Sequence, residues 1–187
     1  MPPTRLPRWI FGYGSLIWRP DFVYESHASA CIEGWVRRFW QGSPDHRGVP
    51  GAPGRVVTLI ACAGSRCWGR AFALPLAEQA QILAALDQRE QAGYERLILP
   101  LKLEDGRQVD GITWRASEQN PDFLGPADMD TMAAQVLASE GPSGTNSEYV
   151  LRLDQALETA GHPDPHVQGL AAAVRGLQTG AGYFKRL

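Results

Sequence analysis

Nowhere does the chain hold a run of about 18 apolar residues, which excludes a membrane-spanning helix. Its start, Met1-Pro-Pro-Thr-Arg-Leu-Pro-Arg8, lacks the apolar core of a secretory leader. Cysteine is scarce. Cys31, Cys62 and Cys67 are an odd number without a C-x-x-C pair, so they supply neither a zinc nor a redox motif, and this usage points to the cytoplasm. An excess of one charge is missing too. Eighteen basic against twenty acidic side chains leave a net charge of -2 and no electrostatic reason to expect a nucleic-acid partner. There is no repeat, low-complexity tract or charge block to divide the sequence. What is present, 44% hydrophobic and 20% charged residues over 187 positions, is the composition of one globular domain covering residues 1–187.

The first hundred residues are strand-like and the last sixty helical. Trp9, Phe11 and Tyr13 alternate in a half-buried strand, and Arg55 to Cys62 is apolar enough for a strand buried on both faces. A turn at Ala63-Gly-Ser-Arg66 separates that strand from Cys67–Leu74, placing Cys62 opposite Cys67 across a hairpin; all three thiols read as packing residues. Leu97, Leu99, Leu101 and Leu103 keep a period of two before a hairpin at Asp105-Gly106. A helix runs from Leu76 to about Glu90, with Gly93 as its stop. Further helices carry Met129 to Val136, with Pro126 in the first turn, then Tyr149 to Leu157 behind the capping box Thr145-Asn-Ser-Glu148. A last helix carries Val167, Leu170, Val174 and Leu177. This pattern predicts an α+β fold on a mostly antiparallel, barrel-like sheet.

Several clusters are chemically suggestive. In Phe11-Gly-Tyr-Gly-Ser-Leu16, two glycines let the backbone bend and bring its amides to a carbonyl or carboxylate; an ordinary glycine turn explains them as well. The third glycine of a dinucleotide fingerprint is replaced by Ile17, and Ser15 lacks G-x-S-x-G spacing, so it reads as a hydrogen-bonding residue. At 100° per residue Glu90 falls on the apolar arc of Leu76, Leu83 and Leu86, whereas Arg89 points away and Asp87 sits on its flank. Burial there raises a carboxyl pKa toward that of a general base; if the helix frays after Asp87, Glu90 meets water instead. The run Arg37 to Gly48 suits a substrate carboxylate, or, against the acidic balance, a single nucleic-acid strand. His162-Pro-Asp-Pro-His166 reads as a surface turn, because its prolines break helical ligand spacing and no third metal ligand is evident. A Cys–His hydrolase using Cys31 or Cys62 with His46 has no local signature in its favour.

Taken together, these segments resemble the ChaC family of γ-glutamylcyclotransferases, enzymes that act on glutathione. The matching blocks are Phe11–Trp18, Arg37–Ser43, Asp45–Gly51, Pro53–Leu59, Trp68-Gly69, Arg89–Tyr94, Asn120–Pro126 and Gly141–Tyr149. They run in order from about Trp9 to Leu153; residues 1–8 and the segment after about 156 lie outside them. The resemblance implies a γ-glutamylcyclotransferase-like small mixed β-barrel with surrounding helices. It implies that Glu90, in Arg89-Glu-Gln-Ala-Gly-Tyr94, is the catalytic glutamate. It also implies that Tyr13, Gly14, Ser15 and Leu16, led by Ile10, Phe11 and Gly12, receive the γ-glutamyl group, with Tyr149 nearby. Ala92 stands where some relatives carry glycine.

The chemistry expected from that resemblance is cyclisation of glutathione to 5-oxoproline and Cys-Gly. Glu90 takes a proton from the substrate's α-ammonium, and the amine attacks its own γ-carbonyl. The nucleophile belongs to the substrate, so no metal or cofactor is expected. One of Arg37, Arg38, Arg47 and Arg55 is the expected counter-charge for the glycyl carboxylate. Alternatives are a cyclotransferase for other γ-glutamyl amines and a non-catalytic γ-glutamyl-binding module. The sequence specifies no oligomeric state.

Overall fold

The computed structural model describes residues 6–90 and 93–184, with side chains through 179. Five strands, β1 (Trp9–Gly12), β2 (Ser26–Ser43), β3 (Gly54–Ala73), β4 (Tyr94–Leu103) and β5 (Gln108–Ala116), close into a barrel in the order β1-β3-β2-β4-β5. Most pairs are antiparallel. The closing pair is parallel, with Trp9 opposite Gly111 and Ile10 opposite Ile112, so the expected mixed α+β barrel is found. The β4–β5 hairpin turns at Asp105-Gly106 as predicted, with Leu97, Leu99, Leu101 and Leu103 on its more buried face.

Clustering of the backbone divides the chain into two compact units. The first comprises residues 1–36 and 60–117, the second 37–59 and 118–187. In the first, α1 (Gln79–Arg89) lays Ile82, Leu83 and Leu86 against Ile10, Leu74, Ile112 and Trp114. Each such aliphatic side chain withdrawn from water contributes roughly 1.5–3 kcal/mol. This covered face corrects the half-buried reading of β1, because Ile10 and Phe11 are both buried. The helix also starts later than expected. Residues 76–78 form a turn closed by the Glu78 amide on the Pro75 carbonyl (3.1 Å), and Leu76 is exposed.

The predicted turn at residues 63–66 does not interrupt the sheet: β3 runs for 20 residues beside the 18 of β2. Gly64, at φ 77°, absorbs the local distortion within the strand. Burial on both faces stops at Leu59, and Cys62 is exposed while Cys67 is buried. None of the three cysteines is in a disulfide; Cys31 and Cys67 are packing residues and Cys62 is not.

In the second unit α2 (Met129–Ala138), α3 (Asn146–Thr159) and α4 (Pro165–Phe184) pack on one another, burying Met132, Val136, Val150, Leu153, Val167, Leu170 and Val174. Asp128 caps α2, accepting from the Thr131 amide at 2.8 Å, so Pro126 lies ahead of the first turn and not in it. The Thr145 cap of α3 forms as predicted, with the Glu148 amide on its hydroxyl at 3.2 Å. Leu177 is exposed, off the buried stripe of α4. The short strands β6 (Glu140–Gly141) and β7 (Gly144–Thr145) form a separate ladder. Among the described residues no helix is long and apolar enough to cross a membrane.

The segment 162–166 is not a surface turn. Asp164 Oδ2 accepts from Arg37, whose side chain is fully buried, at 2.9 Å. Its other oxygen accepts the amides of His166 (3.0 Å) and Val167 (3.4 Å), capping α4. His166 Nε2 accepts the Phe39 amide of β2 at 3.1 Å, and the imidazole stacks on the Phe39 ring. Burial, reinforced by the charges of Arg38 and Arg37, holds this imidazole down to about 4. The two prolines and the two acceptor side chains thus fasten the start of α4 to a strand.

Candidate active site

The Gly12–Ser15 bend leaves β1 and enters a single 3-10 turn, Ser15–Ile17, in the first unit. Two glycines make the bend possible. A β-carbon on Gly12 would stand 2.7 Å from Leu16 Cβ, and one on Gly69 of β3 only 2.3 Å from the Gly12 carbonyl oxygen. The first amide to bond within the 3-10 turn is that of Ile17, to Gly14 at 3.0 Å, so those of Ser15 and Leu16 precede its first bonded donor.

Neighbouring side chains fix the bend. The Tyr13 hydroxyl donates to the Trp114 carbonyl at 2.8 Å, and the Thr113 hydroxyl to the Phe11 carbonyl at 2.8 Å. Arg70 donates to the Ile17 carbonyl at 3.1 Å. Ile10, Phe11 and Tyr13 are buried; Gly14 and Ser15 are partly open.

Glu90 caps the C-terminus of α1. Its backbone has left helical geometry (φ -94°, ψ 22°), yet its amide still bonds the Leu86 carbonyl at 2.9 Å. Its side chain is 21% exposed, between the core-facing and solvated positions offered by the sequence. Arg89 connects it to the bend: its Nε lies 3.6 Å from Glu90 Oε1 and its terminal nitrogen donates to Ser15 Oγ at 3.3 Å. Another guanidinium nitrogen is 4.0 Å from Asp21. Ser15 serves as a hydrogen-bonding residue, as its spacing suggested. Ala92 lies outside the described residues.

Sequence reasoning missed this connecting role of Arg89, although it adjoins Glu90 and carries the right charge for a helix's last turn. It also missed Asp87. That carboxylate accepts the Trp114 indole N–H at 2.9 Å and Arg96 Nε at 3.0 Å, tying α1 to the strand whose carbonyl holds Tyr13. No periodic pattern marks such a link.

Tyr149 belongs to the second unit. It is buried on α3, with the Phe39 ring edge-on at 6.1 Å and the Arg47 guanidinium 5.5 Å from its ring centroid. All four arginines considered for a substrate carboxylate have internal partners. Arg37 pairs with Asp164, and Arg47 bonds the Thr145 carbonyl and Glu148 at 2.9 and 3.1 Å. Arg55 bonds Gln135 and the Phe39 carbonyl at 2.7 and 2.9 Å. Arg38, half-buried with its guanidinium over Trp40, donates to the Arg37 carbonyl at 2.7 Å and has no carboxylate within 4.0 Å among the described residues.

The hydrolase alternative gains no support. Burial pushes the Cys31 thiol up, against thiolate formation, and Cys62 accepts from Ser65. The partners of His46 are Ser143 and Asp45. Among the described residues no group of three or more His, Cys, Asp or Glu side chains is placed to hold a metal.

Comparison with known proteins agrees with the fold and the motifs. Residues 8–177 match the family model of the ChaC-like proteins. The chain is 39% identical to human glutathione-specific γ-glutamylcyclotransferase 1, over 95% of this chain and 85% of that protein. It is 34% identical to the glutathione-specific γ-glutamylcyclotransferase of Schizosaccharomyces pombe, over 89% and 92%. The crystal structure of a yeast γ-glutamylcyclotransferase specific to glutathione superposes with a TM-score of 0.84 at 29% identity, covering 92% of this chain and 97% of that one. A γ-glutamyl cyclotransferase at 15% identity shares the fold, with a TM-score of 0.57. The chain belongs to the family of ChaC-like proteins.

Proposed function

We propose that the protein is a glutathione-specific γ-glutamylcyclotransferase, a lyase-type enzyme of glutathione catabolism, with Glu90 as its base. The observation that carries the base assignment is the Arg89 guanidinium, which links Glu90 to the glycine bend at Ser15 within one unit. The relatives' activity supports the substrate class.

Glutathione binds with its γ-glutamyl chain curled against Ile10–Ser15, where the bend's amides face the carbonyl or the α-carboxylate. Glu90 accepts a proton from the α-ammonium. The freed amine attacks the γ-carbonyl carbon, forming the lactam C–N bond as the C–N bond to cysteine breaks. The acid returns its proton to the departing amine, and the second proton shed by the lactam nitrogen leaves that amine as an ammonium, so 5-oxoproline and Cys-Gly account for every atom without added water. The attack is intramolecular by the substrate's own connectivity, and holding the chain curled keeps amine and carbonyl in the conformer that reacts.

Tyr149 enters this reading through its motif match alone. Residues 1–187 are taken as one functional domain because the family match spans both units. The odd number of cysteines, none in a disulfide, favours a cytoplasmic setting.

Comparing kcat/KM for glutathione and γ-glutamyl-alanine tests the substrate. A charge-assisted bond to the glycyl carboxylate, worth roughly 1.5–3 kcal/mol, predicts about a ten- to hundredfold preference for glutathione. Neutralising the arginine that supplies this bond is expected to erase most of it. Equal efficiency on both substrates leaves only a general cyclotransferase.

A further inference from the structure

Resting on Glu90 as the base, we infer that Arg89 is a positioning residue that keeps Glu90 ionised and ties it to the substrate-receiving bend. Its guanidinium is one-third exposed and spans Glu90 (3.6 Å), Ser15 Oγ (3.3 Å) and Asp21 (4.0 Å). A planar fork can hold a carboxylate and a hydroxyl together; a point charge cannot fix both directions. The third partner lies in unusual backbone. Asp21 has φ 50°, in the left-handed region, and also takes Arg19 at 3.0 Å. Arg19 thereby shares the charge of Asp21, which leaves Arg89 the freer to act on Glu90.

Asp87 of α1 is paired with Arg96 of β4, and Glu95 of β4 with Arg115 of β5 at 3.5 Å. The Tyr13 phenol is bonded to the Trp114 carbonyl, and Tyr94 packs against the apolar cluster. A cation at this distance stabilises the carboxylate over the carboxylic acid. Its removal therefore raises the pH at which Glu90 acquires its proton and becomes unable to act as a base. Because Arg89 is partly exposed and shared with Asp21, the expected rise is modest, about 0.5–1 pH unit.

The test is the pH dependence of kcat/KM for 5-oxoproline formation from glutathione, in wild type, Arg89→Ala, Arg89→Lys and Glu90→Gln, each checked for folding by circular dichroism. In Arg89→Ala the acidic limb is expected to move up by about 0.5–1 unit, whereas Arg89→Lys brings it back to within about 0.3 unit of wild type. Arg89→Lys should still show a raised KM, since ammonium does not bridge Ser15 and Glu90 together. An unmoved limb in folded Arg89→Ala overturns the inference, as does an equal shift in both Arg89 variants. Wild-type turnover in Glu90→Gln would remove the base assignment itself. An inactive Glu90→Gln with an unmoved Arg89→Ala limb removes only the role of Arg89.

Discussion

Replacing Asp164 by asparagine isolates the charge of a single buried ion pair. The Arg37 side chain is fully buried, and Asp164, 17% exposed, holds it at 2.9 Å. Asparagine keeps the size and most of the capping ability of aspartate, because its oxygen can still accept the His166 and Val167 amides. The negative charge goes, and Arg37 is left as a buried cation facing a neutral amide. Breaking a buried pair from one side typically costs about 3–5 kcal/mol. The retained hydrogen bond and the partial exposure of Asp164 bring this down to about 2–4 kcal/mol. In a chain of this length that corresponds to a fall in Tm of roughly 4–16 °C. Asp164→Ala also loses the cap and should cost about 1 kcal/mol more. Urea unfolding followed by far-ultraviolet circular dichroism measures both. Removing the cation as well, in Arg37→Met/Asp164→Asn, should recover part of the loss, since the penalty lies in a buried cation that has lost its carboxylate. A change below about 0.5 kcal/mol for Asp164→Asn would refute the reasoning.

Three further outcomes are expected. His166 is depressed from 6.5 to about 4 in the folded chain, so the unfolded state binds more protons between those values. Stability should therefore rise with pH from about 4 to 6.5 and level off above, by at most about 3.4 kcal/mol and nearer 2 after allowing for partial exposure. His166→Gln should flatten that rise in pH-dependent urea titrations. Replacing Cys31, Cys62 or Cys67 by alanine should leave kcat near wild type; Cys31 and Cys67 should lower stability and exposed Cys62 should not, as thermal unfolding and steady-state kinetics will show. Exhaustive chelation followed by gel filtration should leave turnover unchanged, and activity lost this way and restored by one metal would contradict the substrate-nucleophile mechanism.

The sequence made local patterns readable where one face of an element meets one environment. The leucines of β4, the Asp105-Gly106 hairpin and the Thr145 cap obey short-range rules and appear as expected. β2 escaped notice because its residues mix charge, aromatics and glycine, and what makes it a strand is long-range pairing with β3 and β4. Likewise Arg37 looked like a substrate grip because its buried partner, Asp164, is 127 residues away. Motif spacing singled out Glu90, but periodicity could not fix its exposure, because the helix ends one residue earlier. The bridge from Arg89 to Ser15 depends on where the bend after β1 meets the end of α1, which local spacing does not encode.

The central claim, that Glu90 drives cyclisation of glutathione, is tested most directly by following 5-oxoproline and Cys-Gly together by mass spectrometry with purified wild type and Glu90→Gln. Wild type should release the two products in equal amounts. The amide keeps the side chain's shape and removes the base, so Glu90→Gln should fold normally and turn over about 10²- to 10⁴-fold more slowly. Turnover by folded Glu90→Gln within about threefold of wild type, or no 5-oxoproline from wild type, would contradict the account.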